Sequence, residues 1–281
     1  MQLSVVIPFY QVEKYIGACL DALARFRRRK AKFCWWTTVG GTQRSDAAAY
    51  CAAHPNARVI RRAQNGGLPR AQHGLDAAQG EYVYFLDSDD VPRAEALWRL
   101  TQAAREKRLD MAKARFCFLN DETGELTDGA AIYPTDVLEG GALLAAQCQS
   151  GTYEPMVWQC VYRRAFLLEN GLRMAEGLLF EDELFQAPAL IRAKRAAVFE
   201  AVILEYRQRP GSIMASFAGS ARWCASYAQV CARLDALART LPSGAARAAL
   251  HRRAGQIALN VGKTFRHTVC RRRSPGKRWP F

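Results

Sequence analysis

The chain has 281 residues, half of them hydrophobic and 23% charged, which excludes a disordered protein and suits one large α/β domain with an appended piece. Its 40 Lys and Arg outnumber 26 Asp and Glu, a formal net charge of +14; such a field draws nucleotide pyrophosphate, anionic lipid or nucleic acid, with plain solvated basic faces as the alternative. The apolar runs fall short of the ~20 residues a membrane helix needs, no secretory leader is expected, and nine cysteines without C-x-x-C spacing read as free thiols in a reducing cytoplasm, used as small core hydrophobes.

Residues 3–9 form an apolar, β-branched run closed by Pro8, the pattern of a buried parallel strand. Val12, Tyr15, Ile16, Cys19, Leu20 and Leu23 recur at helical spacing, so a helix over 12–26 packs back on the sheet. A helical stretch at 45–53, a strand at 58–61 and a helix at 68–78 ending at Gly80 come next. The clearest strand covers 81–86. Strands alternating with helices imply a mostly parallel open sheet whose ligands sit at the carboxyl ends of the strands. Asp87, Ser88, Asp89 and Asp90 occupy one such end. Residues 94–107 are helical again, 121–129 are polar and turn-rich, and from about residue 216 to 261 an Ala-, Arg- and Leu-rich stretch has helical periodicity.

In an extended segment residues i and i+2 project to one side, so Asp87 and Asp89 can face one divalent cation, the charge that neutralises a pyrophosphate. Asp90 binds through water or positions the loop. The bland alternative is a solvated acidic turn capping the helix after Pro92.

Ser4 to Tyr10 with Val12, Glu13, Lys14 and Tyr15, then Gly80 to Leu86 and the Asp87–Asp90 cluster, resemble family 2 glycosyltransferases. Their patterns are "SVVIPxYNxExY", "GEYxxFLDSDD" and a later "ED" pair, and the likeness covers about residues 1–215. It implies a GT-A fold, a Rossmann-like α/β sheet flanked by helices, with a nucleotide-sugar-binding half (1–110), an acceptor half (111–215) and a helical basic C-terminal region (216–281). It also implies inverting transfer of a sugar from a nucleoside-diphosphate donor, a UDP-sugar favoured, to a glycan or lipid-linked acceptor in cell-surface polysaccharide or lipopolysaccharide assembly. The expected cofactor is Mn or Mg, held by Asp87 and Asp89. Pro8, Tyr10, Glu13, Arg70 and Asp87 are carried over as donor-binding residues, and Arg207 and Arg209 of the "YRxRxGSI" stretch as diphosphate contacts on a mobile basic loop, against the alternative of surface arginines. Asp182 is carried over as the base that takes the acceptor proton; its alternative is a helix N-terminal acid. Glu181 and Trp158 are carried over to the acceptor side, Trp158 as a stacking platform or else a core residue. The basic surface implies peripheral contact with the cytoplasmic face of an anionic membrane, and no nucleic-acid-reading motif is present.

The pattern breaks between residues 27 and 44, where the family has a strand ending in a "VDDGSxD" loop that holds the base or ribose. Here residues 31–40 read AKFCWWTTVG. Written in G/C-ending codons, the frame that starts at the last base of the Ala31 codon encodes EVLLVDDG, the missing segment. A local frameshift, restored by about Ser45, accounts for this. Residues 33–39 can still form a strand, but the lost carboxylates would cost about 2–4 kcal/mol in donor affinity, which leaves a catalytically impaired relic as the second reading. Gln11 also stands where the family has Asn, and the segment containing Arg70 is shortened.

Overall fold

The computed structural model describes residues 2–9, 13–24, 35–37, 52, 59–60, 70–129, 134–175, 178–209 and 220–273. The opening apolar run forms β1 (Leu3–Val6), buried along its whole length, and continues as β2 (Pro8–Phe9). In α1 (Glu13–Ala24), Ile16, Cys19, Leu20 and Leu23 turn to the core at the spacing one helical face requires. β3 (Trp35–Thr37) and β4 (Val59–Ile60) join β2 in a parallel three-stranded sheet, so part of the aromatic stretch at 33–39 does form a strand. The helix expected at 45–53 lies outside the described residues except at 52.

α2 (Arg70–Ala77) leads into β5 (Tyr82–Phe85), which pairs in parallel with β1 from Leu3↔Tyr82 to Val6↔Phe85. The Gly80 amide donates to Ser4 Oγ at 2.9 Å. A Cβ on Gly80 would lie 2.5 Å from the Ser4 nitrogen, so the two strands begin this close together only because the residue is glycine. Then come β6 (Val91–Pro92), α3 (Ala94–Glu106), β7 (Met111–Asn120), β8 (Leu126–Asp128), α4 (Gly140–Ser150), β9 (Cys160–Arg163), α5 (Arg164–Glu169), α6 (Glu181–Arg192), β10 (Ala196–Gln208), α7 (Ala221–Thr240) and α8 (Ala245–Arg273).

The main sheet runs β1-β5-β9-β7-β10-β6, with β8 beside β7. β1/β5 and β7/β10 are parallel, whereas β9 lies antiparallel to both β5 and β7, and β6 and β8 are antiparallel to their partners. The sheet expected to be mostly parallel is thus mixed, its parallel pairs β1/β5 and β7/β10 joined through the antiparallel β9. Buried apolar strands such as β7 and β9 carry no mark of direction in their residue pattern.

Each face of the sheet carries a core. Leu3, Val5 and Ile7 pack with Leu20, Leu97 and Trp98 on one face. On the other, Val6, Val83 and Phe85 pack with Phe185 and Leu190, and the same cluster takes in Val230 and Leu234 of α7 and Leu250 and Ile257 of α8. The C-terminal helices are therefore a wall of the core. Cys19, Cys117, Cys148 and Cys160 are free and buried. No helix among the described residues is long and apolar enough to cross a membrane.

Candidate active site

The end of β5 meets the end of β1, where the Leu86 amide donates to the Val6 carbonyl at 3.0 Å. The chain then leaves the sheet as the acidic turn, closed by Asp90 N–H to the Asp87 carbonyl at 3.2 Å. Burial alternates along it: Asp87 is exposed, Ser88 buried, Asp89 partly exposed and Asp90 buried. Asp87 and Asp89 thus open outward, and Asp90, only 1% exposed, faces inward. β6 then pairs with β10 through Glu205↔Val91 and Leu204↔Pro92, fixing the acidic turn against the strand that carries the arginines.

At that junction the Arg207 amide donates to Asp90 Oδ1 at 2.8 Å, its Nε to the Asp89 carbonyl at 2.8 Å and its Nη1 to Asp121 Oδ1 at 2.8 Å. Arg209 Nε donates to Asp89 Oδ2 at 2.8 Å, and both guanidinium groups lie over the Tyr15 ring, at 5.3 and 5.1 Å. Tyr15 Oη and Lys14 Nζ each donate to Asp121 Oδ2 at 3.2 Å. Arg207, 12% exposed at its side chain, is a strut under the acidic turn rather than a residue of a mobile loop, because its guanidinium is already committed to acceptors on two sides. Arg209 is the one that pairs with an outward-facing carboxylate. Asp121 is a site residue that sequence reasoning missed. It is polar in a polar turn and carries no local signal; only the β7/β10 register, which sets Asn120 opposite Gln208, brings it under Arg207.

On the far side of the cleft, α6 begins with Glu181, Asp182 and Glu183. Burial, Glu181 and Asp87, in that order, push the Asp182 carboxyl well above the usual carboxylate range, opposed by a hydrogen bond from the Val157 amide. Burial also raises Glu181. Asp87 is pushed up to about 7 by desolvation from the surrounding protein, then by Asp89 and Glu181. Asp87, Glu181 and Asp182 therefore lie within electrostatic reach of one another. Crowded carboxylates with one open to solvent suit a divalent cation, although no cluster of three His, Cys, Asp or Glu with metal-site geometry occurs among the described residues.

The remaining sequence candidates fall elsewhere. Pro8 sits in β2 at the edge of the same strand ends. Glu13 and Arg70 open α1 and α2, but their side chains, and all of Tyr10, lie outside the described residues, as does the changed segment except for β3. Trp158 is 4% exposed, stacked on Tyr206 at 5.2 Å and set edge-on to Phe116 at 4.9 Å. With both neighbours in place its ring offers no face to a sugar, so the core alternative describes it, not the acceptor platform.

A mixed sheet flanked by helices, with an acidic turn at the end of β5 and a carboxylate pair at the start of α6, has the GT-A glycosyltransferase architecture. The chain matches the crystal structure of S. aureus TarS 1-349 in complex with UDP-GlcNAc with a TM-score of 0.68 at 20% identity, over 94% of this chain and 72% of that one. It matches the mannosyltransferase PcManGT from Pyrobaculum calidifontis in complex with GDP-Man and Mn2+ with a TM-score of 0.66 at 14% identity, over 96% and 73%. Residues 4–136 match the family model described as glycosyl transferase family 2. Similar proteins include the uncharacterized glycosyltransferase YibD of Escherichia coli (strain K12), 28% identical over 73% of this chain and 61% of its own. Another is the uncharacterized glycosyltransferase EpsJ of Bacillus subtilis (strain 168), 28% identical over 75% and 62%. The chain thus spans about three fifths of the length of these relatives.

Proposed function

We propose that the chain transfers a sugar from a nucleoside-diphosphate donor, a UDP-sugar by preference, to a hydroxyl of a cell-surface glycan or lipid-linked acceptor, with inversion. The observation that carries this is the acidic turn at the end of β5, with Asp87 exposed and Asp89 paired to Arg209 at 2.8 Å, close enough to the acids that open α6 for the charge of Asp87 to act on Asp182. Asp182 takes the acceptor proton as the hydroxyl oxygen attacks the anomeric carbon, and the bond to the diphosphate oxygen breaks with its electron pair. The raised affinity of Asp182 for a proton makes it a stronger base than a free aspartate. Glu181 lies beside it on the acceptor side. Asp87 and Asp89 would hold Mn or Mg, which supplies positive charge to the leaving diphosphate, and Arg209 supplies a second cation at the same edge. Acceptor chemistry of this kind is supported by a relative described as a poly(ribitol-phosphate) beta-glucosyltransferase from Bacillus spizizenii, 26% identical over 70% of this chain and 31% of its own. The net charge of +14 supports work at the cytoplasmic face of an anionic membrane.

The test is nucleotide release from a panel of UDP- and GDP-sugars with Mn2+ or Mg2+, for wild type, Asp182→Asn and Asp89→Ala. Loss of the base is expected to lower kcat by ~10²–10⁴-fold. Turnover that survives both substitutions would end this assignment. The changed segment at 27–44 favours a second reading, an impaired transferase that keeps the fold. Titration calorimetry with UDP and Mn2+, on this chain and on one carrying the EVLLVDDG segment, separates the two: binding tighter by ~30–1000-fold in the restored chain marks the present one as impaired.

A further inference from the structure

The turn that bears Glu181 and Asp182 is anchored on both sides by the C-terminal helices. On the upstream side the Leu179 amide donates to Ser226 Oγ of α7 at 3.2 Å, and the Phe180 ring stacks on Tyr227 at 3.8 Å, with interplanar angle 16°. Phe180 itself has φ 66, a left-handed backbone that a bulky residue adopts only when its surroundings impose it. On the downstream side Glu183, 3% exposed, is bound by both Nε and Nη2 of Arg253 from α8. The Arg253 guanidinium in turn lies 5.0 Å from the centroid of the buried Tyr153 ring. Between these two anchor points stand the two acids.

We propose that α7 and α8 form a positioning clamp for the Glu181–Asp182 turn, with Ser226, Tyr227 and Arg253 as its positioning residues. Stability alone is a weak reason for such a pair, since a buried ion pair often exchanges for apolar side chains at no loss. What Arg253 and Tyr227 do supply is a fixed direction. The left-handed residue sets the angle at which the chain enters α6, and the Arg253 fork on Glu183 stops the first turn of the helix from rotating. A general base displaced by about 1 Å loses roughly 100-fold in rate, so the clamp bears on kcat while the donor subsite, built from β1 and β5, is untouched. The catalytic part of this inference rests on the reading of Asp182 given above.

Two measurements on the full chain test it. Because Arg253→Met alone strands a buried carboxylate, it is compared with the double variant Glu183→Met/Arg253→Met and with Tyr227→Leu. In the double variant and in Tyr227→Leu, amide hydrogen exchange over residues 179–184 is expected to speed up about tenfold, while β5 and β7 keep their protection. Under the same conditions kcat with the best UDP-sugar is expected to fall about 100-fold, with donor KM within twofold; Arg253→Lys recovers part of it. Unchanged exchange at 179–184 in variants that fold overturns the clamp. Faster exchange with unchanged kcat overturns its bearing on the base. If the wild type consumes no UDP-sugar while exchange responds as described, the transferase reading of Asp182 fails and the clamp stands.

Discussion

Replacing Asp87 by asparagine tests whether the cleft stores like-charge repulsion that a ligand relieves. The Asp87 carboxyl moves from an ordinary 3.8 to about 7 in the folded chain, through desolvation, then Asp89 and Glu181. Taken at face value, the ionised form costs the fold about 4 kcal/mol. Asp87 is exposed to solvent, which reduces the desolvation first and screens the repulsion from Asp89 and Glu181 as well, so the cost is about 1–2 kcal/mol. The sign follows from proton binding. Below the ordinary value of 3.8 the group is protonated whether the chain is folded or not, and nothing is lost. Between that value and about 7 the unfolded chain gives up its proton while the folded chain keeps it, so folding stability declines as pH rises, and above about 7 the full cost persists. The amide side chain in D87N carries no charge and escapes it. Urea unfolding followed by tryptophan fluorescence should therefore find D87N equal to wild type near pH 4 and about 1–2 kcal/mol more stable near pH 8. Mn2+ at millimolar concentration should close that gap by stabilising wild type alone. A variant less stable than wild type near pH 8, or a difference that does not change with pH, refutes the account of a repulsive acidic cleft.

The burial of Trp158 between Phe116 and Tyr206 predicts that W158A loses about 3–5 kcal/mol of unfolding free energy; wild-type stability combined with a weakened acceptor KM would return the residue to the acceptor site. Lys113, 2% exposed, has its pKa lowered to about 8, chiefly by burial, and donates to the Glu154 carbonyl at 2.7 Å. Its charged form is penalised in full below about pH 8 and not at all above 10.5, so K113M, after allowing for the lost hydrogen bond, should be about 1–2 kcal/mol more stable than wild type near pH 7. That advantage should vanish by pH 10.5 in matched urea titrations.

The first half of the fold is legible in the sequence because its signals are local. β1, α1, β5 and α3 each show their period within a dozen residues, and the acidic turn follows β5 directly. The second half is not. β10 runs 13 residues with an irregular register near Val202, and β9 enters between β5 and β7 from far along the chain, a placement no local period encodes. The C-terminal helices read as an appendage because their apolar stripe is diluted by arginine and alanine, yet Val230, Leu234, Leu250 and Ile257 are enough to join the main core.

Residue type alone also cannot divide a charged cluster into ligands and struts. Asp87, Asp89 and Asp90 are chemically alike, as are Arg207 and Arg209. What separates the acids is alternation along the chain, which sends neighbouring side chains to opposite sides; what separates the two arginines, which share a face, is the partners each one reaches. Asp90 points inward and receives the Arg207 amide, while Asp87 and Asp89, two residues apart, point outward. On β10 the Arg207 side chain passes beneath the turn, and Arg209, two residues on and past the strand end, lies beside Asp89. The inward members hold the geometry, Asp90 accepting the Arg207 amide and Arg207 bracing the turn against Asp121. The outward members are the ones solvent reaches: Asp89 shares its charge with Arg209, and Asp87 stands exposed beside them, which is the property a site for an anionic donor and its cation needs.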